Sequence, residues 1–252
     1  MSEIIYGRQP VLEALKAGRR QFEKLLIRVG VHGRVITEIL RLAEERGVPV
    51  EWQEGKSLET LLHSAHHQGV VLIASSRPSL SWQDLLREVR GNPETVVGFV
   101  DRVEDPRNLG AIIRTASFFG FQGLIVSKAR TAPVTARGVK ASCGGSEFLE
   151  VVQVNNFPQV VQAFQEAGFF LIALEEDGER CLWDIEVKNI PVGLVVGGED
   201  RGIRRVVRSR CDFVVRIPRG GVISSLNVSV AFGIGAYEIA RQKRSGSIGA
   251  KR

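Results

Sequence analysis

The sequence predicts an α/β protein with a small N-terminal α/β domain and a larger C-terminal domain built on a parallel sheet. Short apolar runs alternate with amphipathic stretches along the 252 residues. A segment rich in serine and proline, "SSRPSLSW", interrupts that alternation. Apolar runs separated by helices are typical of parallel strands that are covered on both faces. We therefore predict domains at 1–76 and 95–252, joined by a linker at 77–94.

The N-terminal domain is predicted from helices and strands in turn. Apolar residues at helical spacing predict a helix over "RQPVLEALKAG", closed by Gly18. The same spacing predicts a second helix over "VITEILRLAEERG", ending at Gly47. A weaker helical signal lies near 58–63. Short apolar runs predict the buried strands, which are "KLLIRV", "VPVEW" and "QGVVLIAS".

The alternation is stronger in the C-terminal domain. Its predicted strands are "TVVGFVDRV", "GLIVSK", "FFLIALEE", "PVGLVVGGE" and "FVVRIP". Its predicted helices are "NLGAIIRTASFFG", "FPQVVQAFQEAG", "RGIRRVVRSR" and a last one from near Ser225 through "VAFGIGAYEIARQKR". The last helix is apolar on nearly every side, so we expect it to be buried, partly against another subunit. Ligands of such sheets bind beyond the carboxyl ends of the strands.

Charge and hydropathy limit the classes of partner and location. The net charge of +6 favours partners that carry phosphate, of which RNA is one. No apolar run approaches the roughly 18 residues of a membrane span, and "MSEIIYGRQP" lacks the apolar core of a signal peptide. We therefore expect a cytoplasmic protein that has no membrane partner.

Cysteine and histidine spacing does not indicate a metal site. Cys143, Cys181 and Cys211 are far apart and form no CxxC pair, so we expect reduced thiols. The cluster of His63, His66 and His67 lacks a cysteine or carboxylate that would complete a ligand set. We predict no bound metal.

Two loops that follow predicted strands carry polar residues. The first places Asn108 at the start of a helix and Arg114 nearly two turns further on. The second ends a strand at Gly197 and then presents Glu199. A capping asparagine with a surface arginine, and a capping carboxylate, are sufficient explanations for these loops. A ligand site is the alternative, although neither loop fits GxGxxG or GxxxxGK[ST].

A third loop, "IPRGGVISSLNVSV", puts Ser225 and Asn227 at the start of the last helix. Simple capping by Ser225 is one interpretation. The polar residues exceed what one cap requires, however, and polar groups at the start of a buried helix need partners. A bound ligand could supply those partners.

In this order the three loops resemble the motifs of SpoU-type methyltransferases of the SPOUT superfamily. NxGAxxRTA matches 108–116, GxE followed by xxG matches 197–202, and IPxxGxxxSLNVSVA matches 217–231. In addition, "IYGRQPVLEAL" and "HHQGVVLIAS" resemble the two ends of the ribosomal-protein-like RNA-binding domain that precedes the catalytic domain in the ribosomal RNA branch. The similarity points in particular to methylation of a guanosine 2′-hydroxyl in bacterial 23S ribosomal RNA.

The resemblance implies a fold and a cofactor that the spacing of residues does not reveal. The C-terminal domain would be a parallel α/β domain with a deep trefoil knot, which is rare among proteins. The knot would bind S-adenosylmethionine largely through backbone groups. The matching positions for the cofactor are Gly197, Ile217 and Leu226, and the family is typically homodimeric.

The resemblance also implies roles for the polar residues. Arg114 would be the base or activator of the ribose hydroxyl. The positioning residues would be Asn108, Glu199, Ser225 and Asn227. An arginine side chain normally stays protonated, so Arg114 could instead bind phosphate and stabilise charge while another group accepts the proton.

Two positions depart from the family pattern. Asp200 stands where glycine is usual, and Arg219 stands where methionine is common. An added acid near the RNA face and an added base near the cofactor loop could change substrate fit.

Other functions stay open at this point. Within the family, transfer RNA ribose methylation and resistance-type ribosomal RNA methylation are alternatives, because the motifs do not encode the choice of nucleotide. A non-catalytic ribosomal RNA assembly factor would explain the charge without needing the polar loop residues. A small-molecule methyltransferase would need no RNA-binding domain.

Overall fold

A computed structural model describes residues 2–62, 67–76, 80–131 and 144–245. The chain forms two compact units, one of Met1–Pro78 with Val134–Phe148 and one of Ser79–Pro133 with Leu149–Arg252. The domain boundaries given above remain a prediction. His63, His66 and Cys143, which the sequence singled out, lie outside the described residues.

The first unit has a four-stranded sheet in the order β1–β4–β2–β3. Only β2 and β3 pair in parallel, whereas β4 is antiparallel to both of its neighbours. The helix that Gly18 was predicted to close does end there, and Gly18 has the left-handed φ of +63° that favours glycine. The elements are β1 (Ser2–Tyr6), α1 (Arg8–Ala17), β2 (Phe22–Arg28), α2 (Arg34–Glu45), β3 (Val50–Gln53), α3 (Gly55–Leu62) and β4 (Val70–Ser75).

Both faces of this sheet are covered, because neighbouring residues of β2 point to opposite sides. Leu25 and Ile27 belong to the cluster that includes Leu15 of α1. Leu26 lies on the other face and packs with Leu58 of α3. The apolar run "KLLIRV" is therefore a strand buried on both sides, as predicted.

The second unit has a seven-stranded sheet in the order β7–β6–β5–β10–β8–β11–β9, and every neighbouring pair is parallel. This confirms the predicted parallel sheet. Its strands are β5 (Val96–Asp101), β6 (Gly123–Ser127), β7 (Glu150–Val154), β8 (Phe170–Leu174), β9 (Arg180–Cys181), β10 (Val192–Gly197) and β11 (Phe213–Arg216). Its helices are α4 (Trp82–Val89), α5 (Pro106–Phe118), α6 (Phe157–Glu166), α7 (Arg205–Arg208) and α8 (Val228–Ser245).

Helices cover both faces of this sheet. On one face, the Phe99 ring makes edge contacts with Phe157 and Phe164 of α6, and Leu85 of α4 joins the same core. On the other face, a Cβ on Gly98 would lie 3.3 Å from the Phe232 ring of α8. The predicted linker 77–94 thus contains a helix that packs into the core of the second unit.

Three helices of the second unit have different bounds from those predicted. The helix predicted over 201–210 is reduced to α7, because Gly202 has a left-handed φ of +58° and Arg204 an extended ψ of 137°. Helix α5 begins at Pro106 rather than Asn108, and α8 begins at Val228 rather than near Ser225. In each case a turn or a cap that the apolar spacing does not reveal sets the start.

Cys211 is partly buried, and desolvation of its thiol raises the pKa of that group to about 12. Only the thiolate reacts with iodoacetamide, so at pH 8 the reactive fraction is roughly 10⁻⁴, against about a quarter for an unfolded cysteine. We expect alkylation of Cys211 to be at least about 100-fold slower in the folded chain than in urea. Peptide mass spectrometry over a time course measures both rates. Equal rates would contradict the burial of this thiol.

Candidate active site

The site is built where β5 and β10 end side by side, with Asp101 paired to Gly197. The backbone N–H of Gly198 donates to the carbonyl of Asp101 at 2.9 Å. A Cβ on Gly197 would lie 2.1 Å from the Gly202 carbonyl carbon, and one on Gly198 would lie 2.1 Å from the Arg102 carbonyl oxygen. Only glycine fits at both positions, so the loop after β10 is held tightly against the loop after β5.

A buried ion pair fixes the far end of that loop. Arg204 donates from its backbone N–H and from Nε to Oδ2 of Asp101, at 3.1 and 2.9 Å. Its Nη2 lies 2.7 Å from Oδ1 of the same carboxylate, which is fully buried. Sequence reasoning missed this pair. The only signal was an aspartate that ends an otherwise apolar strand.

Asn108 lies near the start of α5. Asp105 caps this helix by accepting a hydrogen bond from the Arg107 N–H at 2.7 Å, and Pro106 follows the cap. The interpretation of Asn108 as the helix cap is therefore wrong, because Asp105 performs that role. The side chain of Asn108 is left to face the other loops.

Three of the predicted site residues are joined by hydrogen bonds. The Asn108 amide donates through Nδ2 to Oε1 of Glu199. The Asn227 amide donates through Nδ2 to Oδ1 of Asn108 at 3.1 Å. One residue from each of the three loops thus enters a single polar network at the carboxyl edge of the sheet.

Asn227 also caps α8. Its Oδ1 accepts from the Ser229 N–H at 2.9 Å and from the Ser229 hydroxyl at 2.6 Å. The alternative in which Ser225 caps this helix is wrong, because Ser225 lies three residues before the first helical residue, in an exposed loop. The cap orients the Asn227 amide toward Asn108.

Arg114 is exposed on the surface of α5. Six residues separate it from Asn108, which places it about 9 Å further along the helix axis and about a third of a turn around it. Arg114 shares an element with Asn108, and Ser225 shares a loop with Asn227. The five predicted polar residues thus lie on three segments of the chain. The side chains of Asn108, Glu199 and Asn227 are joined by hydrogen bonds.

The predicted cofactor positions border the same edge. Gly197 ends β10, and Ile217 directly follows β11, two strands away across β8 and hence about 10 Å distant. Leu226 is 50% exposed, and Val222 and Ile223 in the same loop are also exposed. An adenosine needs apolar walls, and the exposed apolar side chains of this loop fit that requirement.

The arginines of 201–210 are largely engaged with the protein. Arg204 is bound to Asp101, Arg208 lies 2.8 Å from Asp177, and Arg210 donates to Gln162 at 3.1 Å. Three of the five arginines in this run are therefore in contact with other side chains of the protein. Arg219, whose role the sequence left open, is exposed in the loop after β11.

Family models match both parts of the chain. The model described as the SpoU rRNA Methylase family matches residues 95–237, and the model for RNA 2'-O ribose methyltransferase substrate binding matches residues 4–79. The chain belongs to the SpoU rRNA methylase family. The resemblance drawn from the three loops is thereby confirmed.

Similar proteins agree with this family. A Mycobacterium leprae protein described as an uncharacterized tRNA/rRNA methyltransferase is 34% identical over 244 residues, covering 96% of this chain and 78% of its relative. A TrmH-family tRNA/rRNA methyltransferase of Bacillus subtilis is 29% identical over 242 residues, covering 96% of both chains. These SpoU relatives span both units of the chain.

Solved SpoU structures share the fold. The methyltransferase AviRb from Streptomyces viridochromogenes superposes with a TM-score of 0.79 at 27% identity, over 97% of this chain and 91% of AviRb. An AdoMet-bound rRNA methyltransferase from Sinorhizobium meliloti gives 0.78 at 26% identity, over 95% and 87% of the two chains. Membership of this fold implies the trefoil knot that was expected.

Across the described ranges, no three histidine, cysteine or acidic side chains are grouped closely enough to hold a metal ion. His67 is buried, and its Nδ1 accepts from the Gly69 N–H at 3.0 Å. None of the helices in the described part of the chain has the length and hydropathy of a membrane span.

Proposed function

We propose that this SpoU enzyme methylates the ribose 2′-hydroxyl of a guanosine in 23S ribosomal RNA, in the cytoplasm. The observation that carries the proposal is the polar network of Asn108, Glu199 and Asn227, which joins one residue from each family motif. The substrate-binding family model over residues 4–79 and the basic charge of +6 support an RNA substrate. On this basis residues 1–76 bind RNA and residues 95–252 carry the chemistry.

S-adenosylmethionine is the methyl donor, as the AdoMet-bound SpoU structures support. Gly197, Ile217 and Leu226 would hold it through backbone groups and apolar contact. When bound, it supplies an electrophilic methyl group on a sulfonium. The exposed apolar side chains of the loop after β11 would be covered by the adenosine, which removes them from water.

Arg114 activates the ribose. The 2′-oxygen would form a bond to the methyl carbon while the bond between that carbon and the sulfonium sulfur breaks, and the hydroxyl proton would pass to solvent water. An alcohol is a poor nucleophile unless it is activated and well placed. A guanidinium normally stays protonated, so Arg114 acts by holding the neighbouring phosphate and stabilising the negative charge that develops on the oxygen. Arg114 is exposed on α5, at a surface that an RNA chain can reach.

Asn108, Glu199 and Asn227 position the ribose. Because their side chains already bond to one another, the carboxylate and the two amides are oriented before RNA binds. Ser225 lies on the loop that leads to Asn227, and its hydroxyl would contact the same ribose. Positioning of this kind is the main contribution a protein makes when the methyl donor supplies the electrophile.

The active form is a homodimer. Buried residues of α8 face the sheet, but Val230, Ile234 and Tyr237 on its other side are exposed. They continue into α5, where Phe118 is 78% exposed and Phe119 makes an edge contact with the Tyr237 ring at 6.4 Å. A contiguous apolar surface of this kind marks a protein interface.

We expect Tyr237→Glu combined with Phe118→Asp to convert dimers to monomers and to lower methylation, because buried carboxylates would oppose association. Sedimentation velocity measures the change. Val206→Glu, at an exposed valine on α7, is the matched control and should stay dimeric. A wild-type monomer, or a double variant that remains dimeric, would contradict the assigned interface.

Radiolabelled S-adenosylmethionine tests the substrate. The full chain is incubated with unmodified transcripts of 23S ribosomal RNA, 16S ribosomal RNA and transfer RNA, and label is counted in each. We expect label in 23S RNA at a single guanosine. Label confined to transfer RNA would replace the proposed substrate by the transfer RNA alternative. Tight RNA binding without label on any transcript would favour an assembly factor.

A further inference from the structure

A charged cavity lies beside the catalytic network, at the carboxyl ends of β5, β6 and β10. Its volume is about 150 Å³, and Glu199 lines it together with Gly198 and Gly202. The other lining side chains are all charged, and they are Arg102, Glu104, Arg130, Asp200 and Arg201. Neither the methyl donor nor the ribose accounts for these residues.

The cavity walls are held in unusual backbone conformations. Arg102 and Arg130 have left-handed φ values of +61° and +54°, which cost free energy for residues other than glycine. The carbonyl of Arg102 lies so close to Gly198 that no side chain fits there. Strain that is locked in by packing is found at ligand sites, because the site must be formed before the ligand arrives.

The charged side chains that line the cavity, all of them on described residues, are not paired with one another. Among the described residues, Nε of Arg102 is buried and has no hydrogen-bond partner. Within the ranges that the structure describes, the arginines of the cavity form no ion pair with its carboxylates. The cavity therefore presents donors and acceptors that are both available to a ligand.

The mixture of charges selects the ligand chemistry. A phosphate offers only acceptors, so it could pair with the arginines of the cavity but would leave Glu104, Glu199 and Asp200 without donors and next to a like charge. A guanine offers both kinds of group, namely acceptors at O6 and N7, and donors at N1–H and the 2-amino group. Proteins recognise unpaired RNA bases along their Watson–Crick and Hoogsteen edges, where guanine carries these groups.

We propose that this cavity reads the guanine base of the nucleotide to be methylated. Asp200 and Glu104 accept the N1–H and 2-amino protons, and the arginines donate to O6 and N7. Glu199 lines the cavity and also belongs to the polar network that positions the ribose. One nucleotide can therefore place its base in the cavity and its ribose at the network. The inference rests on the proposed function, and it gives Asp200, which replaces the family's usual glycine, the role of a specificity residue.

Direct binding of mononucleotides tests the cavity without methyl transfer. Guanosine, inosine and adenosine 5′-monophosphates and inorganic phosphate are titrated into the full chain by calorimetry or NMR. We expect guanosine monophosphate to bind at least about 10-fold more tightly than adenosine monophosphate, with inosine monophosphate between them because it lacks the 2-amino group. Equal affinity for the guanosine and adenosine nucleotides would overturn the proposal.

Substitutions identify the residues that contact the guanine base. Asp200→Asn and Glu104→Gln should each reduce the preference for the guanosine nucleotide, because each replaces a charged acceptor by an amide. Both residues are exposed, so the fold should be retained. Glu186→Gln, at an exposed glutamate outside the cavity, is the matched control. A preference unchanged in both variants would contradict the assignment.

The other outcomes separate this inference from the proposed function. If Arg201→Ala weakens guanosine nucleotide, adenosine nucleotide and inorganic phosphate equally, the cavity is a phosphate site and the inference fails. If RNA is methylated equally well with adenosine at the target position, the inference fails and the function stands. If no RNA is methylated but guanosine nucleotide is preferred through Asp200, the base site stands and the function fails.

Discussion

Replacing Arg114 by alanine is expected to lower the rate of RNA methylation at least about 100-fold while S-adenosylhomocysteine affinity changes less than about twofold. Removal of a group that stabilises charge in the transition state has effects of this size. The assigned cofactor positions Gly197, Ile217 and Leu226 lie on other loops, so cofactor affinity should be preserved. Single-turnover rates on the RNA transcript and calorimetry measure the two quantities.

Arg114→Lys distinguishes the possible roles of the guanidinium. If Arg114 provides charge and phosphate contact, the lysine variant should methylate RNA at least about 10-fold faster than the alanine variant. Arg87→Ala, at an exposed arginine on α4, serves as the control and should be as active as wild type. Near-normal turnover of Arg114→Ala would refute the assignment of this residue.

Replacing Asp101 by alanine is expected to lower the free energy of unfolding of the second unit by about 3–5 kcal/mol, because the Arg204 guanidinium loses its buried partner. The same ion pair anchors the loop after β10, which carries Glu199, so methylation should fall as well. Urea denaturation at equilibrium measures the change. Asp177→Ala, which removes the partly exposed pair with Arg208, should cost less than about 1 kcal/mol. Equal effects of the two substitutions would contradict the structural role of Asp101.

Much of the architecture could be predicted because it depends on local apolar patterns. Strand β5 is buried at every residue, and its run "VVGFV" indicates this directly. The parallel sheet follows from such runs separated by helices, and the sheet in turn indicates where polar loop residues meet. Asn108, Glu199 and Asn227 come together because the loops at the carboxyl ends of parallel strands meet at one edge of the sheet.

The parts that could not be predicted depend on contacts between distant residues. Nothing in "RGIRRVVRSR" shows that Arg204 binds Asp101, 103 residues earlier in the chain. This pair holds Arg204 outside the helix, which begins only at Arg205. The caps of α5 and α8 depend on which of several polar side chains turns toward the helix. Asp105 and Asn227 do so, whereas Asn108 and Ser225 seemed equally suitable by type.

The central claim is that methyl transfer goes to a ribose oxygen, and alkaline hydrolysis of the labelled RNA tests it most directly. A 2′-O-methyl group blocks cleavage of the adjoining phosphodiester bond, because the 2′-oxygen can no longer attack it. We therefore expect all label in an alkali-resistant dinucleotide whose 5′ residue is guanosine. Label recovered in mononucleotides would show base methylation and would contradict the account.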